Sequence, residues 1–215
     1  YTSRHYDSDT KLYEDFTEET GIKVNIISAK GKALIERLKS EGTSSPADVF
    51  ITVDAGNLWK VQDYGLFASI NSRKIENIVP KIYRSENNEW IALAKRARVI
   101  FYNKEKYSYE DLKNLNYEDL NSETWRNKLA IRSSNNLYNQ SLVASLISRY
   151  GEEFTENWAE GLVKNFSRKP QGNDRAQIIA VANNEADLAI ANSYYLGLML
   201  SGKKGEKQLS AGKKV

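Results

Sequence analysis

The sequence predicts an α/β chain with a mostly parallel sheet and helices on both faces. Apolar residues pass repeatedly from helical to alternating spacing between Asp9 and Gly65, which is the order of α/β units. Gly and polar turns fall where that order requires breaks. Near the other end, the short apolar run Ala186-Asp187-Leu188-Ala189-Ile190-Ala191 reads as a buried strand feeding a helix with Leu196, Leu198, Met199 and Leu200.

Taken in order, Leu12, Tyr13 and Phe16 lie at helical spacing within Asp9 to Thr20, Gly21 stops that helix, and Ile22 to Ile27 alternates as a strand. Ala33, Leu34, Ile35 and Leu38 mark the next helix. Gly42 to Pro46 is a turn, Ala47 to Val53 a strand, and Asp54 caps a helix carrying Leu58, Trp59 and Val61 that Gly65 ends. From Leu66 to Trp90 the periodicity weakens, and Pro80 with Ser85-Glu86-Asn87-Asn88 predicts a surface excursion. Trp90 to Ala94 and Arg98 to Tyr102 read as extended segments flanking Lys95-Arg96-Ala97. Tyr107 to Leu120 is read as a helix plus a turn, and Leu129 to Ile131 as a short strand. Helices follow with Leu142, Leu146, Ile147 and Tyr150, then with Phe154, Trp158, Leu162 and Val163, and then from Arg175 to about Asn183 with Asn173 or Asp174 as cap. The basic ending, Gly202-Lys203-Lys204-Gly205 and Gly212-Lys213-Lys214, is read as a solvated terminal segment.

Composition narrows the function. With 215 residues and 40% hydrophobic content, the chain can bury a core as one large domain or two small lobes. No apolar run approaches the ~20 residues that span a bilayer, and the chain opens on Tyr1-Thr2-Ser3-Arg4 rather than on a charged and then apolar leader. The net charge of +3 comes from 31 basic and 28 acidic residues that are interspersed, so no basic stripe marks a nucleic-acid partner. Without Cys there is no disulfide, thiolate metal site or Cys nucleophile, and a catalytic triad would have to use the single His, His5. Phosphate-loop, dinucleotide and nucleophile-elbow motifs are all missing from the sequence, which weakens an enzyme reading.

Asn192-Ser193-Tyr194-Tyr195 sits at a strand-to-helix junction, where α/β proteins bind ligands. Adjacent side chains diverge on a strand or helix, so the ordinary structural expectation is one buried Tyr beside one exposed Tyr. Taken with Ser3-Arg4-His5-Tyr6, Ala47-Asp48-Val49 and Arg96-Ala97-Arg98-Val99, this motif resembles the ferric-iron-binding branch of the periplasmic solute-binding proteins of ABC transporters. The similarity runs along essentially the whole chain, and is strongest to the cyanobacterial iron-binding subunits, whose mature domain begins with a Ser-Arg-His-Tyr motif. The resemblance implies two α/β lobes, expected at 1–98 and 99–215, with ligand held between them. It also implies a periplasmic, monomeric protein that carries Fe³⁺ to a membrane permease and has no catalytic role. The family chain runs well beyond Val215, so the sequence is expected to lack segments that complete the lobes.

The resemblance carries over Tyr6, Tyr138, Tyr194 and Tyr195 as iron ligands, with His5 as an additional candidate. Its chemistry is coherent. Fe³⁺ is a hard cation that favours anionic oxygen, and a phenol, ordinarily with a pKa of about 10, becomes such a ligand when the metal displaces its proton. Four phenolates outweigh Fe³⁺ by one negative charge, so Arg96 or Arg98, which share a face if extended, is expected to supply a compensating cation. Each assignment competes with a structural one: His5 as a polar strand end, Tyr138 packed under its turn, and the arginines as exposed charge. Tyr13, Tyr102, Tyr107 and Tyr150 are read as structural. The alternatives are a related binding protein for a polyamine, sugar or oxyanion, and a hydrolase using His5 with a serine. Colour separates them, because Fe³⁺-phenolate complexes absorb visible light and complexes of the other ligands do not.

Overall fold

A computed structural model describes residues 1–4 and 6–215, with Asp7 described through its backbone. The chain divides into two compact units, Tyr1–Ala94 and Lys95–Val215.

The first unit carries helices α1 (Asp7–Thr20), α2 (Gly31–Glu41), α3 (Ala55–Asp63) and α4 (Arg73–Ile78). Helix α1 starts where Asp9 accepts the Tyr6 N–H at 3.2 Å, and ends where Gly21 takes φ 72° and returns its N–H to the Thr17 carbonyl. The segments expected as strands at 22–27 and 47–53 do not form extended ladders. They are pinned to the chain's first residues by single parallel bridges, Thr2 to Ser28 and Thr2 to Ile51. Thr2 N–H donates to the Ile27 carbonyl at 2.9 Å, and Ser3 N–H to the Ile51 carbonyl at 3.0 Å. Likewise, Trp90 to Ala94 contributes one antiparallel bridge, Ile91 to Arg84. Alternation reports a face suited to burial, whereas a strand needs successive paired partners. The expected excursion over 66–90 contains α4, capped where Ser72 Oγ accepts the Ile75 N–H. Ile35, Leu38 and Val61 form the local core with Phe50, Leu66 and Phe67 packed against them.

The second unit is built on a three-stranded sheet of β1 (Arg98–Tyr102), β2 (Leu129–Ala130) and β3 (Leu188–Asn192) in the order β1-β3-β2. Strand β2 runs parallel to β3 and β1 antiparallel, pairing Arg98 with Asn192 and Tyr102 with Leu188. This sheet is therefore mixed where a mostly parallel one was expected, since periodicity carries no information on strand direction. Its two faces are covered as expected. Leu188 and Ile190 of β3, with Leu129, pack into a cluster with Leu142, Leu146, Trp158 and Leu162 of α6 (Leu137–Tyr150) and α7 (Glu152–Lys164). The alternate residues Ala189 and Ala191 pack with Ile178 and Val181 of α8 (Asp174–Ala182) on the opposite face. The helix plus turn expected over 107–120 is present as the short α5 (Tyr109–Leu112), after which Asn116 N–H turns to Asp119 Oδ2 at 2.8 Å.

Helix α9 (Tyr194–Leu200) follows β3, and α10 (Glu206–Lys213) follows it. Of the basic ending, Lys203, Lys204 and Gly205 lie in an exposed turn, as a solvated segment would, whereas Gly212 and Lys213 belong to the packed helix α10. Ala211 belongs to the core, and a Cβ added at Gly212 would stand 3.3 Å from Met199 Cβ, so glycine permits the close approach of α10 to α9. Its lysines concealed this narrow small-residue face.

Candidate metal centre

The sheet of the second unit brings several chain segments to one end. Strand β3 finishes at Asn192, and Ser193 N–H then donates to the Ala97 carbonyl at 2.9 Å, just ahead of antiparallel β1. The parallel neighbour β2 leads past Arg132 into α6, so the carboxyl ends of β2 and β3 and the amino end of β1 coincide. This is the end of an α/β sheet where ligands bind.

Tyr138 is the second residue of α6, whose start is fixed by Asn136 Oδ1 accepting the Tyr138 N–H at 3.2 Å. Tyr194 and Tyr195 open α9, their ring centroids 4.3 Å apart and their planes tilted by 37°. The Tyr194 hydroxyl lies near enough to the phenols of Tyr138 and Tyr195 to raise both, so three hydroxyls from two helix starts converge. The pair does not split into one buried and one exposed ring. Tyr194 is 38% exposed, whereas Tyr195 is half-buried, packing against the core cluster of Ala189, Ala191 and Met199 while its ring leans on that of Tyr194. Burial, and then the neighbouring Tyr194 phenol, pushes the Tyr138 phenol up to about 12, against the pull of the Arg96 guanidinium. The same two causes raise Tyr195. These two phenols therefore hold their protons at neutral pH until a strongly polarising cation displaces them.

The arginines separate in role. Arg96 places its guanidinium carbon 4.4 Å above the centroid of the Tyr138 ring. Arg98 turns into the protein, where its nearly buried side chain meets the fully buried Asp174, Nη1 to Oδ1 at 3.0 Å. Arg132 binds the other carboxylate oxygen at 2.9 Å and lies 5.7 Å from the Tyr138 ring centroid. Two guanidiniums about one carboxylate leave one positive charge beside the phenols. Asn139 ties this group to α6, accepting from Arg98 Nη2 and donating to the Arg132 carbonyl at 2.8 Å. On the β3 side, Asn192 accepts from Arg98 Nη1 at 3.4 Å, and its amide nitrogen lies 3.4 Å from the Tyr194 hydroxyl. Sequence reasoning missed Arg132, Asn139 and Asn192, and weighed Asp174 only as a helix cap. The cap is in fact Asn173, which accepts the Ala176 N–H at 3.1 Å and frees Asp174 for the arginines.

Tyr6 lies in the first unit at the start of α1, 46% exposed, with the Arg4 guanidinium carbon 5.3 Å from its ring centroid. Arg4 is itself held by Asp9 at 2.7 Å. His5 lies outside the described residues. Among the described residues, no three His, Cys, Asp or Glu side chains gather as a metal-holding group.

A sheet end with helix starts, converging phenols and anchored arginines is the kind of place where α/β binding proteins hold ligands. The chain belongs to the bacterial extracellular solute-binding protein family, whose sequence profile matches residues 2–212. It is 52% identical over 203 residues to iron uptake protein A1 of Synechocystis, covering 94% of this chain and 56% of that protein. Its fold matches the Trichodesmium IdiA/FutA protein solved with iron and citrate ligands, with a TM-score of 0.93 and 51% identity. That match covers all of this chain and 67% of the Trichodesmium chain. The ferric binding protein of Campylobacter jejuni matches with a TM-score of 0.90 and 39% identity, again over the whole chain and 67% of the other. The fold class is accordingly the α/β, two-lobed binding-protein type. The chain spans little more than half the length of the curated relatives it matches.

Proposed function

We propose that this chain binds Fe³⁺ through the phenolates of Tyr138, Tyr194 and Tyr195, with Tyr6 and His5 as further ligands, and delivers it from the periplasm, as a monomer, to the membrane permease of an ABC transporter. The observation that carries the reading is the convergence of three phenols on one another beside Arg96. The ligand set including Tyr6 and His5 rests on the Ser3-Arg4-His5-Tyr6 motif. The family membership and the iron-binding relatives support the choice of cargo.

The chemistry runs as exchange of protons for metal. The protonated phenols face one another without being committed to a carboxylate. Fe³⁺ replaces their protons, and the oxygens become its ligands. Placement in the first turns of α6 and α9 favours negative charge by roughly 0.3–1 kcal/mol each, as helix N-termini do. Arg96 over the Tyr138 ring compensates part of the phenolate charge, and the Arg98–Asp174–Arg132 group adds a second, deeper positive charge. Competition against a ferric chelator tests the proposal. Tight 1:1 binding that Tyr194→Phe and Tyr195→Phe each weaken is the expected result, and wild-type affinity in both variants would exclude the phenolate site.

A further inference from the structure

We propose that Asp174 is a positioning residue for the phenol cluster, acting through Arg98 and Arg132; this rests on the ferric reading above and extends it inward. The carboxylate is fully buried, and each of its oxygens takes a separate guanidinium, at 3.0 Å from Arg98 and 2.9 Å from Arg132. Those guanidiniums come from different parts of the sheet, β1 and the segment after β2, and among the described residues Asp174 ties both to α8. From them the connections run outward to the tyrosines. Arg98 donates to Asn139, the residue after Tyr138, and to Asn192, which reaches the Tyr194 hydroxyl. Arg132 stacks near the Tyr138 ring, and its carbonyl accepts from Asn139. Both helix starts that carry phenols are thus registered to one carboxylate.

A structural salt bridge and a positioning group differ in what their loss does to the metal. Asp174 is also a negative charge that disfavours ionisation of Tyr138 and Tyr195. If it acted on the site only through that charge, removing it would ease phenolate formation and tighten ferric binding. If it positions the oxygens, removal weakens binding, because the arginines lose the anchor that sets Asn139 and Asn192. The two roles carry opposite signs.

Asp174→Asn keeps the side-chain shape and removes the charge. We expect ferric affinity to fall by about 10- to 100-fold in chelator competition, the range for loss of an outer partner of a metal ligand. The visible phenolate-to-iron band should shift with it. Ile178→Val, a core change on the same helix, should lower thermal stability without moving the band. Should Asp174→Asn fail to fold, Asn139→Ala carries the test, since it leaves both ion pairs and cuts the link to α6; the same band shift is expected. A folded Asp174→Asn protein with unchanged or tighter affinity, or an Asn139→Ala protein with an unmoved band, overturns the proposal. A wild-type protein without any phenolate band removes the ferric reading, and this one with it.

Discussion

Two groups of tyrosines in the second unit are raised above the ordinary phenol range, yet only one has the makings of a ligand set. Burial pushes Tyr107 and Tyr117 up to about 12, but each hydroxyl is committed to an acceptor. Tyr107 donates to Asp187 Oδ2 at 2.7 Å, and Tyr117 to the Arg98 carbonyl at 2.6 Å. Tyr138 and Tyr195 instead face a third phenol, Tyr194, whose ring is partly open to solvent. A raised phenol alone therefore does not mark a metal site. Phenols that face one another, beside a cation such as Arg96, can exchange protons for a metal without stranding another buried acceptor.

The largest expected effect separates the groups by pH. Each proton released on metal binding contributes about tenfold in affinity per pH unit, so the loss of three from Tyr138, Tyr194 and Tyr195 would make ferric affinity fall by about 1000-fold per unit of acidification, and a fourth from Tyr6 by about tenfold more. Chelator competition at several pH values between mildly acidic and neutral measures this slope, and a flat profile would argue for donors other than phenolates. The next effect is residue-specific. Tyr138→Phe, Tyr194→Phe and Tyr195→Phe should each weaken ferric binding by more than about 100-fold, beyond what loss of an outer partner costs. Tyr107→Phe and Tyr13→Phe should leave affinity unchanged.

Smaller effects fall on stability. Tyr107→Phe removes one hydrogen bond to Asp187, which keeps Lys106 at 2.7 Å, so the expected loss is about 1 kcal/mol in denaturant unfolding. A further effect on stability is shared by both groups. Tyr107, Tyr117 and Tyr138 hold their protons more tightly when folded, with pKa about 12 against an ordinary 10.0. The stability this contributes is complete below the unfolded value and is lost as pH rises from about 10 through about 12. Thermal unfolding of the metal-free protein across that window should show the loss, and Tyr138→Phe should reduce it.

Part of this contrast stood in the sequence as an expectation: the Tyr194-Tyr195 junction marked a ligand site, and the family resemblance brought in Tyr138 while Tyr107 was read as structure. What sequence could not give was partnership across distance. The Arg98–Asp174 and Arg132–Asp174 pairs join residues far apart in the chain, and only the packed sheet decides that Arg98 turns inward while Arg96 lies over Tyr138. The helices were readable because caps and apolar spacing are local, as at Gly21, Asp54 and Asn173. Strands in the first unit were over-read because Ile22 to Ile27 alternates without securing a run of paired neighbours. Helix α10 was missed because its buried face is only Ala211 and Gly212 among lysines.

The most direct measurement of the central claim is the visible absorption spectrum of the protein loaded with Fe³⁺, compared with the metal-free protein and with the Tyr194→Phe and Tyr195→Phe variants. Phenolate ligation predicts a charge-transfer band that appears on loading, shifts or weakens in each variant, and stays unaltered in Tyr107→Phe. Tight ferric binding without such a band, or a band indifferent to both Tyr194 and Tyr195, would contradict it.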